Sequence, residues 1–196
     1  DPSTEEIARV HEMTGISREF LTDPLDKDER PRMEIEDEET TVLIFHVPFH
    51  EPSETDIPFV TIPLGVVMTP QAVVTVCSRE TSVTSTFLDQ IRRVCSPADR
   101  FRFTFQLLWH AAILYLRYLR DIRQRTDLVE KDLKQELSNA ALIKMLNLQK
   151  SLVFFATSLK ANEIVLNRMG HTRQLNIPEK DLDVLDDVAV EFSQAL

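Results

Sequence analysis

The 32 acidic against 22 basic side chains of this 196-residue chain leave a formal net charge of −10, which argues against a general binder of nucleic acid or anionic membrane, because both require a basic surface. Apolar residues at 43% and charged residues at 28% suit a soluble globular protein with a substantial core. Three glycines cannot build a dinucleotide fingerprint, a P-loop or a GxSxG elbow, and two cysteines (Cys77 and Cys95) without CxxC or histidine partners at zinc spacing make neither a disulfide framework nor a structural zinc module.

In chain order, Ser3-Thr4-Glu5-Glu6 is a capping box, in which serine and glutamate satisfy each other's free backbone donors. Asp1 to Met13 is charged from its start and carries no signal-peptide pattern. Ile7, Val10 and Met13 repeat at helical spacing and Gly15 supplies the stop. A second short helix is expected from Ser17, followed by a turn-rich acidic connection between Asp23-Pro24 and Arg30-Pro31. Four segments then read as strands: Arg32–Glu36, Thr41–Val47, Phe59–Val67 and Ala72–Ser78. The last of these, with its Val-Val-Thr-Val run, reads as a buried central strand. Pro48, Pro58, Pro63 and Pro70 are expected near strand ends or edges, where a missing donor does little harm. Thr81 to Val94, with Val83, Phe87, Leu88, Ile91 and Val94, reads as a short amphipathic helix.

The second half is helical. Phe101, Phe105, Leu108, Ala112, Tyr115, Leu119 and Ile122 step by three and four residues, and Leu133 and Leu137 extend the run, so a helix from about Pro97 to Gln135 is expected. Ser138 or Asn139 caps a second long helix ending at Gly170, with Leu142, Met145, Leu152, Phe155, Leu159, Leu166 and Met169 inward. The two form an extended antiparallel pair. A third helix starts near Pro178 with Leu182, Leu185, Val188, Ala189, Phe192 and Leu196 on one stripe. Asp183, Asp187 and Glu191 follow each other at i, i+4 and i+8 on the opposite face. No capping residue closes this helix, so Leu196 reads as a cut within a longer one. The longest apolar runs, such as Ile62–Val67 and Ala111–Leu116, fall far short of the roughly 20 residues of a membrane helix.

The fold class this implies is α+β: a mixed or antiparallel sheet flanked by short helices, then long antiparallel helices and a stalk helix. Residues 1–96 are expected to form an α/β subdomain and residues 97–196 a helical one. No nucleophile, base and orienting group can be assembled by motif, so the sequence offers no enzyme chemistry. His46 and His50 could share a strand face as a zinc pair, yet Pro48 intervenes and no third ligand accompanies them. The run Arg117 to Arg125 interleaves cations with aromatics but also with acids, and reads as a solvated helix face.

Several stretches resemble the cytoplasmic part of the CorA family. They are Phe20-Leu21-Thr22-Asp23-Pro24-Leu25-Asp26 with Glu29-Arg30-Pro31-Arg32, Phe59-Val60-Thr61-Ile62-Pro63-Leu64-Gly65, the run from Leu148 to Lys160, and the Asp181-to-Glu191 segment. The resemblance covers essentially the whole chain. It lacks the family's two C-terminal membrane helices with their Gly-Met-Asn loop. It implies a homopentamer in the inner membrane, anchored by those helices, with this domain on the cytoplasmic side and with no nucleic-acid partner. It also implies divalent cations as cargo, Mg2+ above all, with Co2+ or Zn2+ as variants. Intersubunit metal sites would pair a carboxylate of the lining helix, here Glu191 with Asp187 and Asp183 on the same stripe, with an acid of the neighbouring α/β part, here Glu51. On the residues alone the stripe reads first as a solvated helix face with acids favourably placed near a helix N-terminus, and only the resemblance brings the metal reading level with it. A zinc-handling relative of the same fold and a cytosolic helical scaffold are the alternatives.

Overall fold

The computed structural model describes residues 2–36, 40–51, 57–85, 99–135 and 138–196. Helix α1 (Thr4–Thr14) begins at the N-cap Ser3 with the capping box closed in both directions, and ends at Gly15 in the left-handed conformation (φ 73°). Helix α2 (Arg18–Thr22) runs into a 3-10 turn over Asp23–Leu25. Four strands follow: β1 (Arg32–Glu36), β2 (Thr40–His50), β3 (Phe59–Met68) and β4 (Val73–Cys77). They form an antiparallel meander in the order β1-β2-β3-β4. Of the helix expected from Thr81 to Val94, only the turn over 82–85 lies among the described residues. The expected subdomain boundary at 96–97 lies outside them. Then come α3 (Arg100–Gln135), α4 (Asn139–His171) and α5 (Glu179–Ala195). With 36 residues, α3 is about 54 Å long at 1.5 Å per residue.

The sheet is covered on both faces, which is why β2 carries the continuous apolar run Val42-Leu43-Ile44-Phe45 rather than a strict alternation. Alternate residues Leu43, Phe45 and Val47 face the long helices and join Phe59, Phe105, Leu108, Tyr115, Phe155 and Phe192 in the main core. The other face carries Val42, Val67 and Val76 against Ile16, Phe20 and Leu21 of the N-terminal segment. Close contact on that side fixes Gly65: a Cβ there would lie 2.9 Å from Cβ of Pro24 and closer still to its Cγ. The pairing of Asp23-Pro24 with a distant Pro63-Leu64-Gly65 thus has a steric cause.

Several details depart from the sequence reading. Ala72–Ser78 is no buried central strand: β4 borders the described sheet and most of its residues are only half-buried. Pro63 lies in the middle of β3, an interior strand, whereas Pro48 lies two residues from the end of β2 and beyond the reach of β1. In register, Pro63 faces His46, and its own carbonyl accepts from Cys77 Sγ of β4 (3.2 Å). On the other side β1 reaches only Ile44, where it pairs through Arg32. The backbone of His46 is served instead by a side chain of α4, described below. Helix α4 continues one residue past Gly170 to His171. Leu142 (42% exposed) and Leu152 (41%) point outward, as do Leu182 (37%) and Leu196 (51%) at α5. The inward stripe of α4 instead contains Asn147, Ser151, Ser158 and Asn162, all buried. No helix among the described residues is long and apolar enough to cross a membrane.

Candidate metal-binding face and its support

Helix α5 lies against α3 and α4 through Leu185, Val188, Phe192 and Ala195. Its start is set by ion pairs with the start of α3. Lys180 Nζ lies 2.9 Å from Asp99 Oδ1, and Arg102 Nη1 lies 3.9 Å from Asp181 Oδ1. Both first turns therefore sit at the same end of the bundle, making α3 and α5 parallel. The Asp99 carboxyl is held below the usual range by its hydrogen bond to Lys180. Asp181 is buried at 1% exposure, and its Oδ1 has no hydrogen-bond partner among the described residues.

With that face fixed inward, Asp183 and Asp187 stand exposed on the outward side, and Glu191 is half-buried at its margin. Carboxylates four residues apart are neighbours on a helix surface, so the stripe concentrates hard oxygen donors of the kind Mg2+ prefers. Among the described residues no three of His, Cys, Asp and Glu come together as a metal cluster within one chain. A cation held here would take its remaining ligands from water or from a second chain. Glu51 sits just beyond β2, its N–H donating to the Pro58 carbonyl (3.0 Å). Its carboxylate is ion-paired with Arg79, whose guanidinium also lies 5.0 Å over the Phe49 ring. Any cation at Glu51 competes with that arginine.

The two strand histidines are both engaged. His50 packs on Phe59 (ring centroids 4.9 Å apart), and the Arg125 guanidinium lies over the same Phe59 ring, 5.0 Å from its centroid. His46 is enclosed in a polar network that the sequence did not reveal. Its Nε2 is 2.7 Å from the Glu29 carbonyl oxygen. A carbonyl only accepts, so Nε2 carries the proton. Nδ1 then accepts from Ser158 Oγ (2.9 Å), which in turn meets Thr61 Oγ1 at 2.8 Å. Burial lowers the His46 pKa and keeps the ring neutral. The amide of Asn162 takes both backbone groups: its Oδ1 accepts from His46 N–H (2.9 Å) and its Nδ2 donates to His46 C=O (2.7 Å). Tyr115 Oη donates to the same carbonyl at 3.0 Å.

A second hub explains the acidic connection before β1. Arg32 ion-pairs with Asp23, Glu29 and Glu34 at once. The loop it fixes presents the Glu29 carbonyl to His46. From Asp23 through Arg32, Glu29, His46 and Ser158, one chain of polar contacts ties the N-terminal segment to α4. The signal for it in the sequence was slight: polar residues at helical spacing inside an otherwise apolar α4.

The sequence pattern of the family described as "CorA-like Mg2+ transporter protein" matches residues 1–196. The Cobalt/magnesium transport protein CorA of Methanocaldococcus jannaschii is 29% identical over 175 residues, covering 85% of this chain and 52% of that protein. The chain thus spans about half the length of this curated relative. The solved structure of the soluble domain of CorA from that organism superimposes with a TM-score of 0.85 at 25% identity, covering 100% of this chain and 77% of that one. The complete structure of the same magnesium transporter gives 0.87 at 26% identity, covering 100% of this chain and 61% of that one. The family's pattern runs from the first residue to the last, and the antiparallel sheet with its three long helices is the architecture of a CorA soluble domain: this chain belongs to the CorA-like Mg2+ transporter family.

Proposed function

We propose that this chain is the cytoplasmic regulatory part of a divalent-cation transporter in the inner membrane, working as a homopentamer whose membrane-crossing segments belong to the rest of the transporter. The observation that carries the reading is the outward carboxylate stripe of α5, with Asp183 and Asp187 exposed and Glu191 at its margin, backed by a helix face packed into the core. In this reading Mg2+ bound between subunits bridges the stripe of one chain to Glu51 of the next. The bound ion neutralises facing carboxylates and favours the closed arrangement. Its loss leaves like charges repelling across the interface and loosens the gate.

Thermal melting and sedimentation of this chain with and without millimolar Mg2+ test the proposal. A rise in melting temperature that Glu191→Ala abolishes is the expected result. If Mg2+ changes neither quantity, and Glu191→Ala behaves like the parent, the sensing role is wrong. Calorimetric titration of Zn2+ beside Mg2+ separates a zinc-handling relative, which would bind zinc tightly and magnesium not at all.

A further inference from the structure

Just past β4, the exposed Arg79 is selective in its choice of partner. The acid next to it, Glu80, is exposed and forms no ion pair among the described residues. Arg79 reaches instead to Glu51, 28 residues earlier in the chain, whose side chain is only 18% exposed. An ion pair at a surface is worth little by itself, so a second contact is needed to explain the choice.

The Phe49 ring supplies it. Phe49 and Glu51 are two residues apart in extended chain and share one side of it. The guanidinium meets both at once: its Cζ lies 5.0 Å from the ring centroid while Nη1 pairs with Glu51 Oε1. Arginine suits such a place, because its planar group stacks on a ring and leaves its edge nitrogens free to pair. Phe49 is packed against the main core, and the Glu51 N–H is held by the Pro58 carbonyl at 3.0 Å. Ring and carboxylate backbone are thus fixed, and the long arginine arm is the partner that can move.

We infer that Arg79 is a tethered stand-in cation at Glu51, and that its seat on Phe49 makes this position answer to divalent cations and not to monovalent ones. A potassium or sodium ion carries the same unit charge as the guanidinium but brings neither its hydrogen bonds nor its contact with the ring, so exchange gains nothing. A divalent ion doubles the Coulomb attraction at a given distance and can displace the arginine. The displaced guanidinium keeps its place over Phe49 and returns to Glu51 when the ion leaves. The inference rests on the proposed role of Glu51 in Mg2+ binding and adds what sets the selectivity and threshold of that role.

Calorimetric titration with Mg2+ at one ionic strength, in KCl and in tetramethylammonium chloride, tests it. The parent should show the same affinity in both salts. Arg79→Ala should bind Mg2+ several-fold tighter in tetramethylammonium chloride and lose much of that gain in KCl, because K+ now reaches Glu51. Arg79→Lys keeps the charge without the planar stack and should fall between the two. Phe49→Leu, its fold checked by circular dichroism, should tighten Mg2+ binding about two- to fivefold by loosening the arginine. The side-chain nitrogen signal of Arg79 in NMR should shift when Mg2+ is added to the parent, and stay still in Glu51→Gln. Equal salt dependence in the parent and Arg79→Ala overturns the inference, as does a Phe49→Leu chain that binds like the parent or an Arg79 signal that ignores Mg2+. Mg2+ bound equally well with and without Arg79 removes only the role of the arginine and leaves the proposed Mg2+ site standing. Mg2+ bound by neither chain removes both.

Discussion

The carboxamide of Asn162 and the backbone of His46 exchange two hydrogen bonds across 116 residues of sequence, at 2.9 and 2.7 Å. A helix side chain here takes the place of a neighbouring strand. His46 faces Pro63 on one side and lies past the end of β1 on the other. Asn162 is fully buried, so replacing it strands the His46 N–H without water and leaves the His46 carbonyl to Tyr115 alone. Asn162→Ala should lower stability by about 1–3 kcal/mol, read from urea denaturation. A loss below about 0.5 kcal/mol would mean that the backbone of His46 finds other partners.

His46 should make stability depend on pH in a defined direction. Its folded pKa lies below the ordinary value of about 6.5 because burial penalises the imidazolium. Above that value both folded and unfolded states hold the ring neutral, and the group contributes no slope. As pH falls below about 6.5 the unfolded chain binds a proton that the folded chain refuses, and stability drops until the folded pKa is reached. Denaturation curves of the parent and of His46→Gln should diverge in slope over that window. Parallel curves would show that the ring titrates normally.

Gly65 and Pro24 form a coupled pair. A methyl group at position 65 would run into the Cβ and Cγ atoms of the Pro24 ring, and overpacking of this kind costs about 1–3 kcal/mol. Gly65→Ala should be destabilising by that amount. Pro24→Ala in the same chain should recover part of it, because the obstructing ring is gone. A double-mutant cycle with no coupling would place the cost elsewhere.

Arg79 competes for Glu51. If Glu51 contributes to cation binding, Arg79→Ala frees its carboxylate and should strengthen Mg2+ binding several-fold in calorimetric titration. In a Glu51→Gln background the same change should have no effect. Weaker binding in Arg79→Ala would instead show that the arginine holds Glu51 in place for the ion.

Much of this architecture is written in local sequence. The capping box at Ser3, the stop at Gly15, the Ser138 cap and the entry at Pro178 are set by backbone donors that must be satisfied within a few residues. The apolar spacing of α3 and the acidic stripe of α5 follow from helix geometry alone. The side chains proposed to hold a cation were legible only as carboxylates on one face.

What only the tertiary structure decided concerns residues whose meaning comes from a distant partner. Pro63, inside an interior strand, ran against local rules, and a side chain of α4 serves the backbone of His46 where β1 has ended. Leu142 and Leu152 have the spacing of core residues, but α4 is apolar on both faces, so spacing could not say which face turned inward. Ser151 and Asn162 took the buried face instead, because the Phe59 N–H and the His46 backbone groups they satisfy would otherwise be left unpaired away from water. Periodicity determines where helices and strands form; the unsatisfied backbone they leave behind determines how they pack.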